Sequence, residues 1–271
     1  MIEHLLEPLV CERFRNDERY REGHLRVVNA LPGRRVLGLH SPEMKQVARQ
    51  ISNEGCDVFL SNGMCQRCKN GTEVISCFER ENHDSLCYEE IVIWGYLINL
   101  EQCNLAQRFS LLEYYVPVMD NWAVCDTYCA HAKWMKRAEK NILWAFLQRW
   151  FYSGFEFEVR FAVVVSMCYF LDKDWYERVF QRINLLDFAY IKSAYTTVKG
   201  KLKVAQEGTV HGEEPYYVRM AVAWLLATAL AKFPIETKAF VCASKLPADV
   251  IQLYVRKARE SYRTRDVKAI D

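Results

Sequence analysis

The sequence has no apolar run long enough to cross a bilayer. Its longest uncharged runs, Phe161–Leu171 and Met220–Ala231, reach 11 and 12 residues, where about 20 are needed, so both read as buried core helices. The opening MIEHLLEPLV has no positive region followed by the apolar core of a signal peptide. A glycine-rich phosphate loop, a His-Glu-x-x-His pair and a nucleophile elbow are all missing. Nucleotide-driven, zincin-type and serine-hydrolase chemistry therefore lose their usual warrant. His211 in HGEE matches half of a deaminase signature, but no Pro-Cys-x-x-Cys follows it. Strand-like alternation is scarce, which argues against a sheet protein.

What is present describes a globular chain of 271 residues, 51% hydrophobic and 13% aromatic, able to bury a large core without disulfides. Eleven cysteines is an odd number. With no export signal, reduced thiols in a cytoplasmic protein are the better reading. The net charge of +2 says little, but its distribution says more. Residues 131–150 carry Lys133, Lys136, Arg137, Lys140 and Arg149 against Glu139, and the closing segment is basic through Arg256, Lys257, Arg259, Arg263, Arg265 and Lys268. Such runs are either solvated helix faces or footprints for an anionic partner.

Helical spacing recurs along the chain. In SPEMKQVARQI, Ser41 can cap, Pro42 takes the first helical position, and Met44, Val47, Ala48 and Ile51 share a face. Similar patterns predict helices over Ser85–Leu100, Leu105–Val116, Trp122–Arg137, Ala138–Tyr152, Phe155–Leu171, Trp175–Leu186, Tyr216–Phe233 and Pro247–Tyr262. The predicted fold is all-α. VRFAVVV at Val159–Val165 echoes VRMAVAW at Val218–Trp224, a recurrence expected of stacked helix pairs in a HEAT-like solenoid. Polar stretches at 52–84 and 189–215 read as insertions, and the whole of 1–271 as one repeat domain.

Two local motifs invite chemistry. In CQRCKNGTEVISC, Cys65 and Cys68 have zinc-knuckle spacing, and Cys77, His83 and Cys87 follow. A structural zinc usually organises a small domain rather than a loop of a large one, so spare thiols are preferred and no metal is expected. The sequon Asn70-Gly71-Thr72 reads as a turn. In DNWAVCD, a helix capped by Asp120 or Asn121 places Trp122 in its first turn and Asp126 four residues on, about 6 Å along the same face. Spacing alone favours a packed indole and a paired carboxylate there.

The strings VLGLHSPEMKQVARQI, NWAVCD, VRFAVVVSMCYFLD, YYVRMAVAWLLATALAKFP and ARESYRTRD, in that order, resemble the AlkD-type DNA alkylation repair family across roughly residues 20–265. The resemblance implies a right-handed α-solenoid of HEAT-like repeats, an armadillo-like superhelix whose concave basic face holds duplex DNA. It also implies a monofunctional glycosylase that releases N3- and N7-alkylated purines without flipping them into a pocket. No cofactor, no membrane and a monomer acting on double-stranded DNA go with it. The family's lesion-facing tryptophan and aspartate fall on Trp122 and Asp126, its backbone-contacting arginine on Arg160, and its second tryptophan on Trp224. Tyr217 and Arg219, in the same string as Trp224, join the candidate DNA contacts.

The chemistry agrees with those residue types. A purine alkylated at N3 or N7 is cationic and already a good leaving group, so the catalytic demand moves to the charge developing on the sugar. A carboxylate near C1′ stabilises that charge and orients water, indole faces attract cationic rings, and an arginine beside an apolar run needs an anion. The basic runs and the lysines of 189–215 become candidates for backbone contacts. One departure is Ala227, where the family commonly carries an arginine that helps to hold DNA. Two other functions share these features: a non-catalytic module gripping damaged or branched DNA, and a helical-repeat scaffold for another protein.

Overall fold

The computed structural model describes residues 2–54, 71–80, 82–198, 201–204 and 215–270. Fourteen α-helices stand among them: α1 Glu3–Leu6, α2 Glu12–Asn16, α3 Glu18–Val28, α4 Ser41–Glu54, α5 Gly71–Arg80, α6 Tyr88–Leu100, α7 Leu105–Tyr115, α8 Trp122–His131, α9 Lys140–Phe151, α10 Glu156–Tyr169, α11 Tyr176–Asn184, α12 Tyr216–Leu230, α13 Pro234–Ala243 and α14 Ala248–Glu260. The chain divides into two compact units, Met1–Arg137 and Ala138–Asp271.

In the first unit α6 is the centre, buried at every residue from Tyr88 to Ile98 and packed against α4, α5, α7 and α8. Trp94 stacks on Phe78 of α5 at 5.6 Å and meets Tyr115 of α7 edge-on at 5.1 Å, and Tyr115 meets Tyr128 of α8 at 5.2 Å. Such aromatic pairs prefer stacked or edge contacts and fix the spacing of the helices. The Tyr115 hydroxyl donates to the Ile91 carbonyl at 3.1 Å, on the track where a side chain at Gly95 would collide with it.

The start of α6 also gathers the N-terminal segments. The Glu89 carboxylate, fully buried, accepts the amides of Leu37, Gly38 and Leu39 at 3.0, 2.8 and 3.3 Å. Burial pushes its proton affinity up, and those three amides oppose the rise. Gly38 takes φ +91° with the Phe14 ring packed where a Cβ would stand, so the glycine of VLGL is required on both counts.

In the second unit α10 packs on α9 and α12, and α12 packs on α13 and α14. The two echoing strings are thus neighbouring buried helices, as stacked repeats require. Alternate helices contact one another in each unit, α4–α6–α8 in the first and α10–α12–α14 in the second. That is the layering of a helical repeat.

Several features depart from the sequence expectations. Residues Tyr195–Val198 and Lys201–Val204 form an antiparallel hairpin, β1–β2, inside the stretch 189–215, so the described fold is helical apart from this pair. The helix expected over Trp122–Arg137 ends at His131 and resumes as a 3₁₀ turn over Lys133–Lys136. The cause is tertiary: the Trp134 indole donates to Asn99 at 3.0 Å and lies under the Arg108 guanidinium, 5.1 Å away. Within 52–84, residues 71–80 form α5, whose Val74, Ile75 and Phe78 are buried. The His40 carbonyl accepts the Met44 amide, so Ser41 is the first residue of α4 and Pro42 the second.

Candidate functional site

In the first unit, the motif DNWAVCD is organised around Asn121. Its side chain, fully buried, accepts the amides of Ala123 and Val124 at 3.0 and 3.1 Å, satisfying two of the donors that a helix start leaves open. Asn121 is therefore the cap, and Asp120 serves it from behind: one Asp120 oxygen accepts the Asn121 side-chain amide at 2.8 Å and the other pairs with Arg34 at 2.7 Å. Arg34 also donates to the carbonyls of His83 and Leu86, both at 2.6 Å. Sequence reading missed Arg34, because its acid partner stands 86 positions away and nothing local marks it.

Trp122 and Asp126 follow on one face of α8, and both are partly exposed. The Trp122 indole donates to the Val27 carbonyl at the end of α3, at 3.0 Å, which fixes one edge of the ring. Val27 borders a groove of about 670 Å³ that is also lined by Arg13, Arg19, Tyr20 and His24. The one acid in the lining, Asp17, caps α3 through the Tyr20 amide at 2.9 Å and pairs with Arg13 at 3.6 Å, which leaves Arg19 as the excess cation of the lining. Burial and the nearby His40 hold His24 below its ordinary pKa, so the cationic character comes from the arginines.

In the second unit the four candidates separate into two kinds. Trp224 is 38% exposed on α12 and faces a groove of about 540 Å³. Arg160, 3% exposed, donates to the Tyr217 carbonyl at 2.6 Å. Tyr217 is buried between the rings of Phe157 and Tyr195, 5.3 and 4.9 Å away. Arg219 is ion-paired with Asp249 of α14. These last three side chains fasten helix to helix in this structure.

Arg160 and Tyr217 share a neighbour in Glu156, which no sequence pattern singled out. Its carboxylate, 3% exposed, accepts the Tyr217 amide at 2.6 Å and the Ser193 hydroxyl, so an acid of α10 caps the start of α12. Burial raises its pKa to about 7, against the pull of Ser193, the Tyr217 amide and the Arg160 charge.

The cysteines with zinc-knuckle spacing are only partly covered by the described residues. Cys65 and Cys68 lie outside the described residues, as does His211. Cys87 is buried at the start of α6, where burial first and then Glu90 and Glu89 push its thiol pKa well up. Among the described residues no group of three or more potential ligands assembles. No helix among them is long and apolar enough to cross a membrane.

A family model described as DNA alkylation repair enzyme matches residues 16–261. The chain belongs to that family, whose role is the repair of alkylated DNA. No curated protein and no solved structure matches it.

Proposed function

We propose that the protein is a monofunctional DNA glycosylase, hydrolysing the N-glycosidic bond of N3- and N7-alkylated purines in duplex DNA without a base-flipping pocket. The observation that carries this reading is the Trp122–Asp126 pair, partly exposed on one face of α8 and aimed by a buried cap, in a chain of the DNA alkylation repair enzyme family.

Asp126 is assigned the charge developing at the deoxyribose and the attacking water, a demand that a preorganised carboxylate meets. Trp122 and Trp224 offer ring faces to the cationic sugar and base. The alkylated base leaves as a neutral purine while water adds to C1′ and gives up a proton. No strong acid is needed, which agrees with the mild groups at hand.

Arg160, Tyr217 and Arg219 are assigned to the DNA-facing side of α10 and α12, and Arg160 has the least geometric support, since the residue is 3% exposed. The right-handed solenoid and its concave face, the single-domain organisation and the monomeric state belong to the same proposal.

Duplex DNA containing N7-methylguanine is the direct test. The protein should release the free base and leave an abasic site, and Asp126→Asn should abolish release while sparing DNA binding. Binding without release by the unaltered protein would instead identify the non-catalytic module.

A further inference from the structure

The groove beside Trp224 has a second wall, built at the end of α14. It is lined by Trp224 and Ala227 of α12 and by Lys257, Glu260, Tyr262 and Arg263 from the end of α14 and the turn after it. Tyr262 is 82% exposed, more than any other large hydrophobic side chain described. Its ring stands at the groove on the side facing Trp224, open for stacking against a planar or apolar group.

The segment is ordered for a visible reason. Thr264, 1% exposed, donates its hydroxyl to the Ala258 carbonyl at 2.8 Å, and the amides of Thr264 and Arg265 return to the Ser261 carbonyl at 3.1 and 2.8 Å. Further on, the buried Tyr254 hydroxyl donates to the Ala269 carbonyl at 2.9 Å. The chain after α14 is thus folded back and bolted to the helix, which sets Tyr262 and Arg263 at the rim of the groove.

Charge completes the picture. Arg263 is exposed and has no carboxylate partner among the described residues. Lys257 shares Glu260, at 2.8 Å, with Arg256 on the opposite flank, at 3.7 Å. Arg265 lies over the Tyr262 ring at 5.0 Å. Two cations and two aromatic rings around an open groove of this size suit a nucleic-acid strand, with rings for sugar and base and cations for phosphate.

We infer that Lys257, Tyr262 and Arg263 form, with Trp224, a strand-binding groove in which Tyr262 covers the sugar or base opposite Trp224 and the two cations hold the flanking phosphates. The inference rests on the proposed DNA substrate. It also divides the basic C-terminal segment, because Arg256 and Arg259 line a different and more apolar depression with Ile251, Val255 and Ile270. Only one flank of α14 then belongs to the interface.

Duplex DNA binding, followed by fluorescence anisotropy over a range of salt, separates the outcomes. Tyr262→Ala should weaken binding on the order of tenfold. Lys257→Gln with Arg263→Gln should flatten the dependence of log affinity on log salt by about one unit for each cation removed. Arg256→Gln with Arg259→Gln is the control and should change affinity by less than about twofold at physiological salt. All of these positions are at the surface, and unchanged melting temperatures verify that each variant folds. If the groove variants match the control pair while the unaltered protein binds DNA, the groove assignment is wrong and the DNA reading stands. If the unaltered protein does not bind duplex DNA at low salt, the DNA reading fails and takes the groove with it.

Discussion

Replacing Glu156 by Gln removes a buried charge while keeping an oxygen for the Tyr217 amide. The magnitude follows from the surroundings of the carboxylate. Burial raises its pKa from 4.5 to about 7, a rise of about 2.5, in spite of the Ser193, Tyr217 and Arg160 contacts that favour the anion. At about 1.4 kcal/mol for each tenfold change in proton affinity, the rise is worth about 3 kcal/mol. The sign is that of a raised acid: between pH 4.5 and about 7 the folded state holds a proton that the unfolded chain has given up. Stability is therefore fully present below 4.5, falls as pH rises through about 7, and is level above that. Urea unfolding at intervals from about pH 4.5 to about pH 8 should show the unaltered protein losing about 3 kcal/mol more than Glu156→Gln. Glu89, Glu158 and His24 titrate in both proteins and cancel in the difference. Parallel stability curves would refute the reasoning that burial outweighs the contacts of this carboxylate.

Asn121→Ala strips two buried amides of their acceptor and should cost about 1–2 kcal/mol by urea titration, with a shift in Trp122 fluorescence as the start of α8 loosens. Arg34→Met leaves the Asp120 carboxylate, 11% exposed, and two carbonyls without their donor, and should cost about 3 kcal/mol or more in the same assay. Gly38→Ala combines a positive φ with the Phe14 ring in its path and should cost about 2 kcal/mol or more. Gly95→Ala drives the Tyr115 hydroxyl off the Ile91 carbonyl and should lower the melting temperature by several degrees.

The legible helices were those whose apolar spacing is dense. SPEMKQVARQI, the two echoing strings and the segment over Pro247–Tyr262 each have a face that must be buried, and each is a helix within three residues of its expected ends. α1, α2, α3, α5 and α13 were not read; of these, ERYREGHLRVV in α3 is polar over most of its length and GTEVISCFER in α5 sits in a polar, cysteine-rich context. The end of α8 was misplaced because propensity runs on through Trp134, and only Asn99 and Arg108, from other helices, pull that indole out of the helical path. The hairpin was hidden by an all-helical expectation, although the β-branched run of YTTV carries strand preference.

The site divides in the same way. Sequence by itself determined the family, the helical class and the Trp122–Asp126 spacing on one face of α8, since these follow from residue order and the 3.6-residue turn. Tertiary structure alone decided which residue caps α8, that Arg34 stands behind it, and that Arg160, Tyr217 and Arg219 are fastened between helices while Trp224 and Tyr262 share an open groove. Exposure and pairing depend on partners tens of residues away. A charge or a ring takes its role from what covers it, and that is fixed only when the helices pack.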